Sequence, residues 1–184
     1  VYTYPHIIEI GAGGERLTFV RRIPGPAGDR LEVENRVTAG SGPPMHLHHY
    51  QEESITVQQG RLAYQRPNAQ PQFAGPGETV AFRPGEAHKF WNAGTEDVVG
   101  TGYIEPADNI EYFLEAIYAS QKASGGRRPG MFDVAYLLNR YKSEFAMTEI
   151  PVPVQRLLFP VVLTIGRLLG KYKKYADAPV PVKR

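Results

Sequence analysis

Between about His6 and Glu105 apolar residues recur at every second position, in short runs broken by the clusters PGPAGD, GSGPP, AGPGE and RPGE. Such alternation turns one side of each strand toward a core. With turn signals about every 8–12 residues, it predicts an all-β sandwich or barrel. After Pro106 the period changes. In DNIEYFLEAIYASQKA, Ile110, Phe113, Leu114, Ile117 and Tyr118 fall on one helical face. Asp108, with Glu111 three residues on, has the form of a capping box, and SGG closes the segment. MFDVAYLLNRYKSE predicts a second helix through Val134, Leu137, Leu138 and Tyr141. A third runs from about Val152 to Lys171, opening at a permitted Pro153 and bent at Pro160. The expected organisation is a β-body over residues 1–106 and a helical C-terminal extension over 107–184.

Composition narrows this picture. The chain has 184 residues, 42% of them hydrophobic, enough for one cored domain with an appendage. Cysteine is absent, which removes disulfides, thiolate ligands and cysteine nucleophiles. Charge is uneven: residues 1–149 carry 14 Lys and Arg against 18 Asp and Glu, net −4. Residues 150–184 carry 7 against 1, net +6. The longest uncharged apolar run, LLFPVVLTIG, has 10 residues and a proline, where a bilayer span takes about 20. No secretory leader pattern opens the chain, so a soluble, cytoplasmic protein is expected.

Candidate chemistry concentrates in GSGPPMHLHHYQEESITVQQG, which holds three of the chain's five histidines. Residues i and i+2 of a strand share a face, so His46 and His48 can converge. Imidazole and carboxylate ligands suit first-row divalent metals. Glu53 lies an odd number of positions beyond His48, so HYQE must contain a turn. The next strand chooses between the adjacent glutamates. With Glu53 inward, Ile55 and Val57 are inward and Ser54, Thr56 and Gln58 face out; with Glu52 inward, the apolar pair would be exposed. Burying one Val or Ile is worth roughly 1.5–3 kcal/mol, which assigns Glu53 to the interior. In GETVAFRPGEAHKFWN, Val80 and Phe82 alternate with polar neighbours, RPGE turns the chain, and His88 shares a face with Phe90.

These two segments together resemble the paired motifs of the cupin superfamily. Gly40, five residues, His46, one, His48, four, Glu53, six, Gly60 resembles the first motif. Gly77, five residues, Arg83-Pro84-Gly85, two, His88, three, Asn92 resembles the second. It departs where Arg83 replaces the usual proline, with Pro84 in the next slot. The short gap between Gly60 and Gly77 is like that of compact microbial cupins. The resemblance implies a small jelly-roll barrel in which His46, His48, Glu53 and His88 bind one divalent transition metal: Fe, Mn, Ni, Zn or Cu. His49 and Glu52 lie outside the ligand slots, as a solvated pair on the rim, and His6 is expected on an edge strand without chemistry.

By parity Ile55, Val57, Leu62, Tyr64, Val80, Phe82 and Phe90 line the interior, with Tyr64, Val57, Phe82 and Phe90 as substrate-pocket candidates. That lining suits a small hydrophobic or aromatic ligand, and no cluster of Arg or Lys is expected among inward positions. The implied activity is metal-dependent chemistry of dioxygenase, lyase or isomerase type on a small organic molecule, with Glu53 as ligand and base. The alternative is a metal-containing binding or sensor module without turnover. The apolar stripes of the extension are expected to pack on the barrel or in a homodimer; an anionic membrane surface or a lid over the site are the other readings. No nucleic-acid-binding motif accompanies the basic tail.

Overall fold

The computed structural model describes residues 2–10, 14–126 and 128–184. Strands β1 (His6–Glu9), β2 (Glu15–Ile23), β3 (Arg30–Val37), β4 (His46–His48), β5 (Glu52–Gln59), β6 (Leu62–Gln65), β7 (Gln72–Ala74), β8 (Thr79–Phe82), β9 (Lys89–Asn92) and β10 (Val98–Glu105) come first. They are followed by α1 (Ile110–Ala123), α2 (Met131–Arg140), β11 (Phe145–Met147) and α3 (Val152–Leu168). Six strands form one antiparallel sheet in the order β1-β2-β3-β10-β5-β8; β7-β6-β9 and β11-β4 form two smaller sheets.

The large sheet owes its sidedness to alternation. Along β3, Leu31, Val33, Asn35 and Val37 are buried while Glu34 and Arg36 are exposed. Two apolar clusters cover its inner face. Val37, Ile55, Val57, Val80, Phe82 and Val98 pack with Leu62, Ala74 and Phe90 of the three-stranded sheet. Leu17, Phe19, Leu31, Val33 and Ile104 instead pack with Ile110, Phe113 and Tyr118 of α1, Leu137 and Leu138 of α2, and Phe145 of β11. Strands thus cover one part of the sheet and the extension covers the other. On β3 and β10 the residues between the two clusters are Asn35, Gly100 and Gly102 rather than large apolar side chains. A Cβ on Gly102 would fall 1.8 Å from the Ser54 carbonyl oxygen, so only glycine fits in the middle of β10.

Several expectations are corrected here. The fold is β-rich rather than all-β: three antiparallel sheets with a substantial helical extension. The extension is not purely helical, because β11 pairs with β4 in the register Phe145↔His48 and Met147↔His46. The capping box does not form. Asn109 is the N-cap of α1 and gives no side-chain cap bond. Asp108 has φ +42° and binds the Arg184 guanidinium through both oxygens at 2.7 and 2.8 Å. Glu111 turns away from the helix end to accept from Tyr4 Oη at 2.8 Å and to meet His6 Nδ1 at 2.9 Å. His6 does lie on the edge strand β1, but it is engaged in tying that strand to α1. Ser54, placed outward by parity, is buried: it pairs with Tyr103 of β10, beside the closely packed Gly102.

Candidate metal centre

Three elements bring the site together. His46 and His48 sit at the two ends of β4 and His88 immediately precedes β9, with a bridge pairing His46 to His88. Their backbones exchange two hydrogen bonds, His46 N to His88 O at 2.9 Å and His88 N to His46 O at 2.8 Å. Glu53 enters from β5, opposite Phe82 of β8. The turn through residues 49–51 resets the register between His48 and Glu53, as the spacing requires. Gly60 and Gly85, at φ +84° and +77°, make the turns that follow β5 and precede His88. One ligand atom from each of His46, His48, Glu53 and His88 lies within 4.8 Å of the others. Atoms bound about 2.1 Å from a common ion stand at most about 4.2 Å apart, so a small contraction would close the set on one ion.

The protons on the rings decide what this cluster can hold. His46 Nδ1 lies 2.8 Å from Pro44 O, and His88 Nδ1 lies 2.8 Å from Glu86 O. His48 Nδ1 lies 2.9 Å from Gln51 Oε1, whose amide nitrogen is committed to Ala107 O at 3.3 Å. All three partners are acceptors, so each Nδ1 carries the proton and donates it. In the neutral rings each Nε2 then presents a lone pair. Those nitrogens stand 3.8 Å (His46), 3.3 Å (His48) and 3.0 Å (His88) from Glu53 Oε2. Buried His48 Nε2 has no aligned hydrogen-bond partner. Four electron-pair donors therefore converge with only shared protons, or a cation, able to bind them together. Without a cation, burial opposes ionisation of Glu53, and only imidazoles that also carry a proton on Nε2 can donate to the carboxylate, outweigh burial and hold it well below its usual range. The residues fit a divalent metal bound by three imidazoles and one carboxylate.

The immediate surroundings are aromatic. Phe82 stacks on His88 with ring centroids 3.8 Å apart and planes at 3°. Phe145 meets His48 edge-on at 5.5 Å. His88 and His48 thus touch different apolar clusters, and the site lies where the two meet. Of the pocket candidates, Val57, Phe82 and Phe90 are core: Val57 and Phe82 have no exposed surface and Phe90 has 4%. Phe82 acts on the site only through the His88 ring. Tyr64 is half-buried, its ring edge-on to Phe82 at 6.1 Å. His49 is exposed, and Glu52 accepts a hydrogen bond from Tyr103 Oη on β10, so neither belongs to the cluster.

Two neighbours escape a reading by motif. Arg66 lies over Phe82 and Tyr64 at 5.6 and 5.8 Å and pairs with Glu86, whose carbonyl takes the His88 proton. Its signal was the parity of Leu62, Tyr64 and Arg66, which continues one residue beyond β6. Gln51 is 1% exposed and orients His48. Partners of this kind set metal affinity through the ring they hold. Replacing Gln51 with Ala is expected to weaken metal binding about 10–100-fold, read by competition with a chromogenic chelator.

Residues 34–101 match the family model described as Cupin domain. That match supports a cupin domain within the chain, over residues 34–101. The matched segment holds β4 to β9 whole, the second half of β3, the first half of β10 and all four candidate ligands, while β1 and β2 lie outside it. Among curated proteins, the chain is 28% identical over 117 residues to Oxidoreductase iacF of Pestalotiopsis fici. That match covers 58% of this chain and 57% of the relative, so this chain spans little more than half of that protein's length. Solved structures include a double-stranded β-helix protein from Klebsiella pneumoniae (TM-score 0.47, 19% identity, 58% of this chain and 89% of that one). KdgF from Halomonas sp. gives 0.48 and 15%, covering 58% and 92% of the two chains. The polyketide cyclase RemF from Streptomyces resistomycificus gives 0.44 and 22%, covering 53% and 71%.

Proposed function

We propose that this cupin is a metal-dependent enzyme acting on a small organic molecule, with oxidoreductase chemistry as the leading class. The observation that carries the reading is the convergence of three Nε2 lone pairs and the Glu53 carboxylate in a mostly buried cluster. The relative named an oxidoreductase supports the class. A bound divalent metal would supply Lewis acidity and, if redox-active, an electron-transfer centre beside the substrate.

The chain's own residues perform the remaining tasks. Pro44 O, Gln51 and Glu86 O fix the tautomer and plane of each imidazole. Phe82 and Phe145 exclude water from two sides, which strengthens electrostatic interactions within the cluster. Glu53, with its carboxyl held low, is better suited to ligation than to taking up a proton at neutral pH. Tyr64, half-buried beside Phe82, and Arg66, stacked over both rings, are the groups placed to meet a substrate. Arg66 favours a ligand with an anionic or carbonyl group on an otherwise apolar frame.

Oxygen uptake by the Fe(II)-, Mn(II)- and Ni(II)-reconstituted protein across phenols, flavonols and dicarbonyls tests the reading. Turnover of one class, lost in Glu53→Gln, is the expected result. Tight metal binding with no turnover of any panel member, and with ligand-induced fluorescence changes alone, would place the chain among binding modules.

A further inference from the structure

The extension presents a surface that the metal site does not use. Helix α3 has two apolar faces. Phe159, Val162, Leu163 and Gly166 form one; Val162 and Leu163 are buried, packing with Ala135 and Tyr136 of α2, and Gly166 is buried against Tyr172. Tyr172 closes over that face, stacked at 4.8 Å on Tyr136, with its hydroxyl donating to Val162 O at 3.2 Å. On the other face Val154, Leu157, Leu158, Val161, Ile165 and Leu168 recur at spacings of three and four, all exposed. Leu157 is 76% and Leu168 83% exposed. This stripe is continuous and well beyond the scattered apolar exposure of an ordinary surface.

Charge selects what covers it. Arg156, Arg167, Lys171 and Lys173 are exposed on or next to α3, and no acidic side chain lies on the helix. From residue 150 onward the chain carries 7 basic residues against 1 acidic. Two such tails repel each other, and α3 offers no carboxylate with which a second copy's cations could pair. Anionic headgroups satisfy both the cations and the apolar stripe. At 17 residues the helix is about 25 Å long, and no described helix is long and apolar enough to cross a membrane, so it would lie along a surface.

We infer that α3 and the basic turn after it dock on an anionic lipid surface, with the Val154–Leu168 stripe entering the acyl boundary and Arg167, Lys171 and Lys173 meeting headgroups. The cupin segment, anchored to α3 through α2, is then held beside the bilayer, where apolar substrates concentrate.

Flotation of the full chain with vesicles tests this. Binding is expected to mixed phosphatidylcholine–phosphatidylglycerol vesicles, to weaken as salt is added, and to be poor to phosphatidylcholine alone. The double variant Leu157→Glu/Leu168→Glu, altered only at exposed positions, should retain its circular dichroism and lose flotation by tenfold or more. Arg167→Glu/Lys171→Glu should weaken binding by at least about fivefold per cation removed. Absence of binding to anionic vesicles would overturn the proposal. So would equal binding to neutral vesicles, or a dimer in analytical ultracentrifugation that Leu157→Glu/Leu168→Glu dissociates while the wild-type chain ignores lipid.

Discussion

Replacing His48 with Ala is expected to abolish the rise in thermal stability that a divalent transition metal confers on the wild-type chain. The metal-free cluster sets three Nε2 atoms within 3.0–3.8 Å of one Glu53 oxygen, with every Nδ1 proton already committed outward. A cation bound there stabilises only the folded state. At a free concentration about 1,000 times Kd this amounts to roughly 4 kcal/mol. For a chain of this size that is a rise of about 8–16 °C in Tm. Removing buried His48 deletes one donor and leaves a void beside Phe145, so affinity should fall by orders of magnitude. Glu53→Gln keeps the volume and removes the anionic ligand, and its thermal response should shrink in parallel. Differential scanning fluorimetry with Mn(II), Fe(II), Ni(II) and Zn(II), against a chelated control, gives the comparison. An equal metal response in wild type and both variants would show that the ion binds elsewhere.

The second large effect concerns Glu15, which is 8% exposed on β2 and accepts a hydrogen bond from Tyr118 Oη of α1 at 2.6 Å. Burial pushes its carboxyl up from 4.5 to about 7; the Tyr118 bond opposes the rise and the Glu53 charge adds to it. The folded-state value therefore lies above the unfolded one. Below about pH 4.5 the carboxyl is protonated in both states and costs nothing. Between about 4.5 and 7 the folded state holds a proton that the unfolded state has released, so stability falls as pH rises. Above 7 the penalty levels off at roughly 3 kcal/mol. Glu15→Gln, whose amide oxygen still accepts from Tyr118, should remove that penalty. The variant is expected to match wild type near pH 4.5 and to exceed it by about 6–12 °C in Tm at pH 8. Denaturation curves at both pH values check this. Parallel profiles for the two proteins would mean that Glu15 titrates as an ordinary exposed carboxyl.

Alternation placed His46, His48 and Glu53 on inward positions, the resemblance to the paired motifs added His88, and the structure gathers the four side chains. One-residue slips bury Ser54, Thr56 and Gln58 at the expense of Ile55 and Val57, and that cost singled out Glu53. The three helices were legible for the same reason at a different period. What escaped notice depends on contacts distant in sequence. Asp108 reads as a helix cap until Arg184, 76 residues away, captures its carboxylate. β11 is three residues long and is defined by pairing with β4, so no periodicity announces it. Ser54 is buried because Gly102 lets β10 approach closely, which depends on the neighbouring strand rather than on Ser54's own place in the alternation. The pocket candidates share a limit of parity: it says that Val57, Phe82 and Phe90 point inward, not that space remains beside them. Only Tyr64 keeps a partly exposed ring, and Arg66 joins it from just beyond the strand end. The two-faced α3 is a related case, since its hydropathy reveals both stripes but not which one the body covers.

We propose that His46, His48, Glu53 and His88 together hold one metal ion. Elemental analysis of the purified chain, after reconstitution and removal of loosely bound ions, tests it most directly. One divalent transition-metal ion per wild-type chain, and essentially none in His48→Ala, is the expected result. A wild-type chain that remains metal-free after reconstitution with each candidate ion would contradict it.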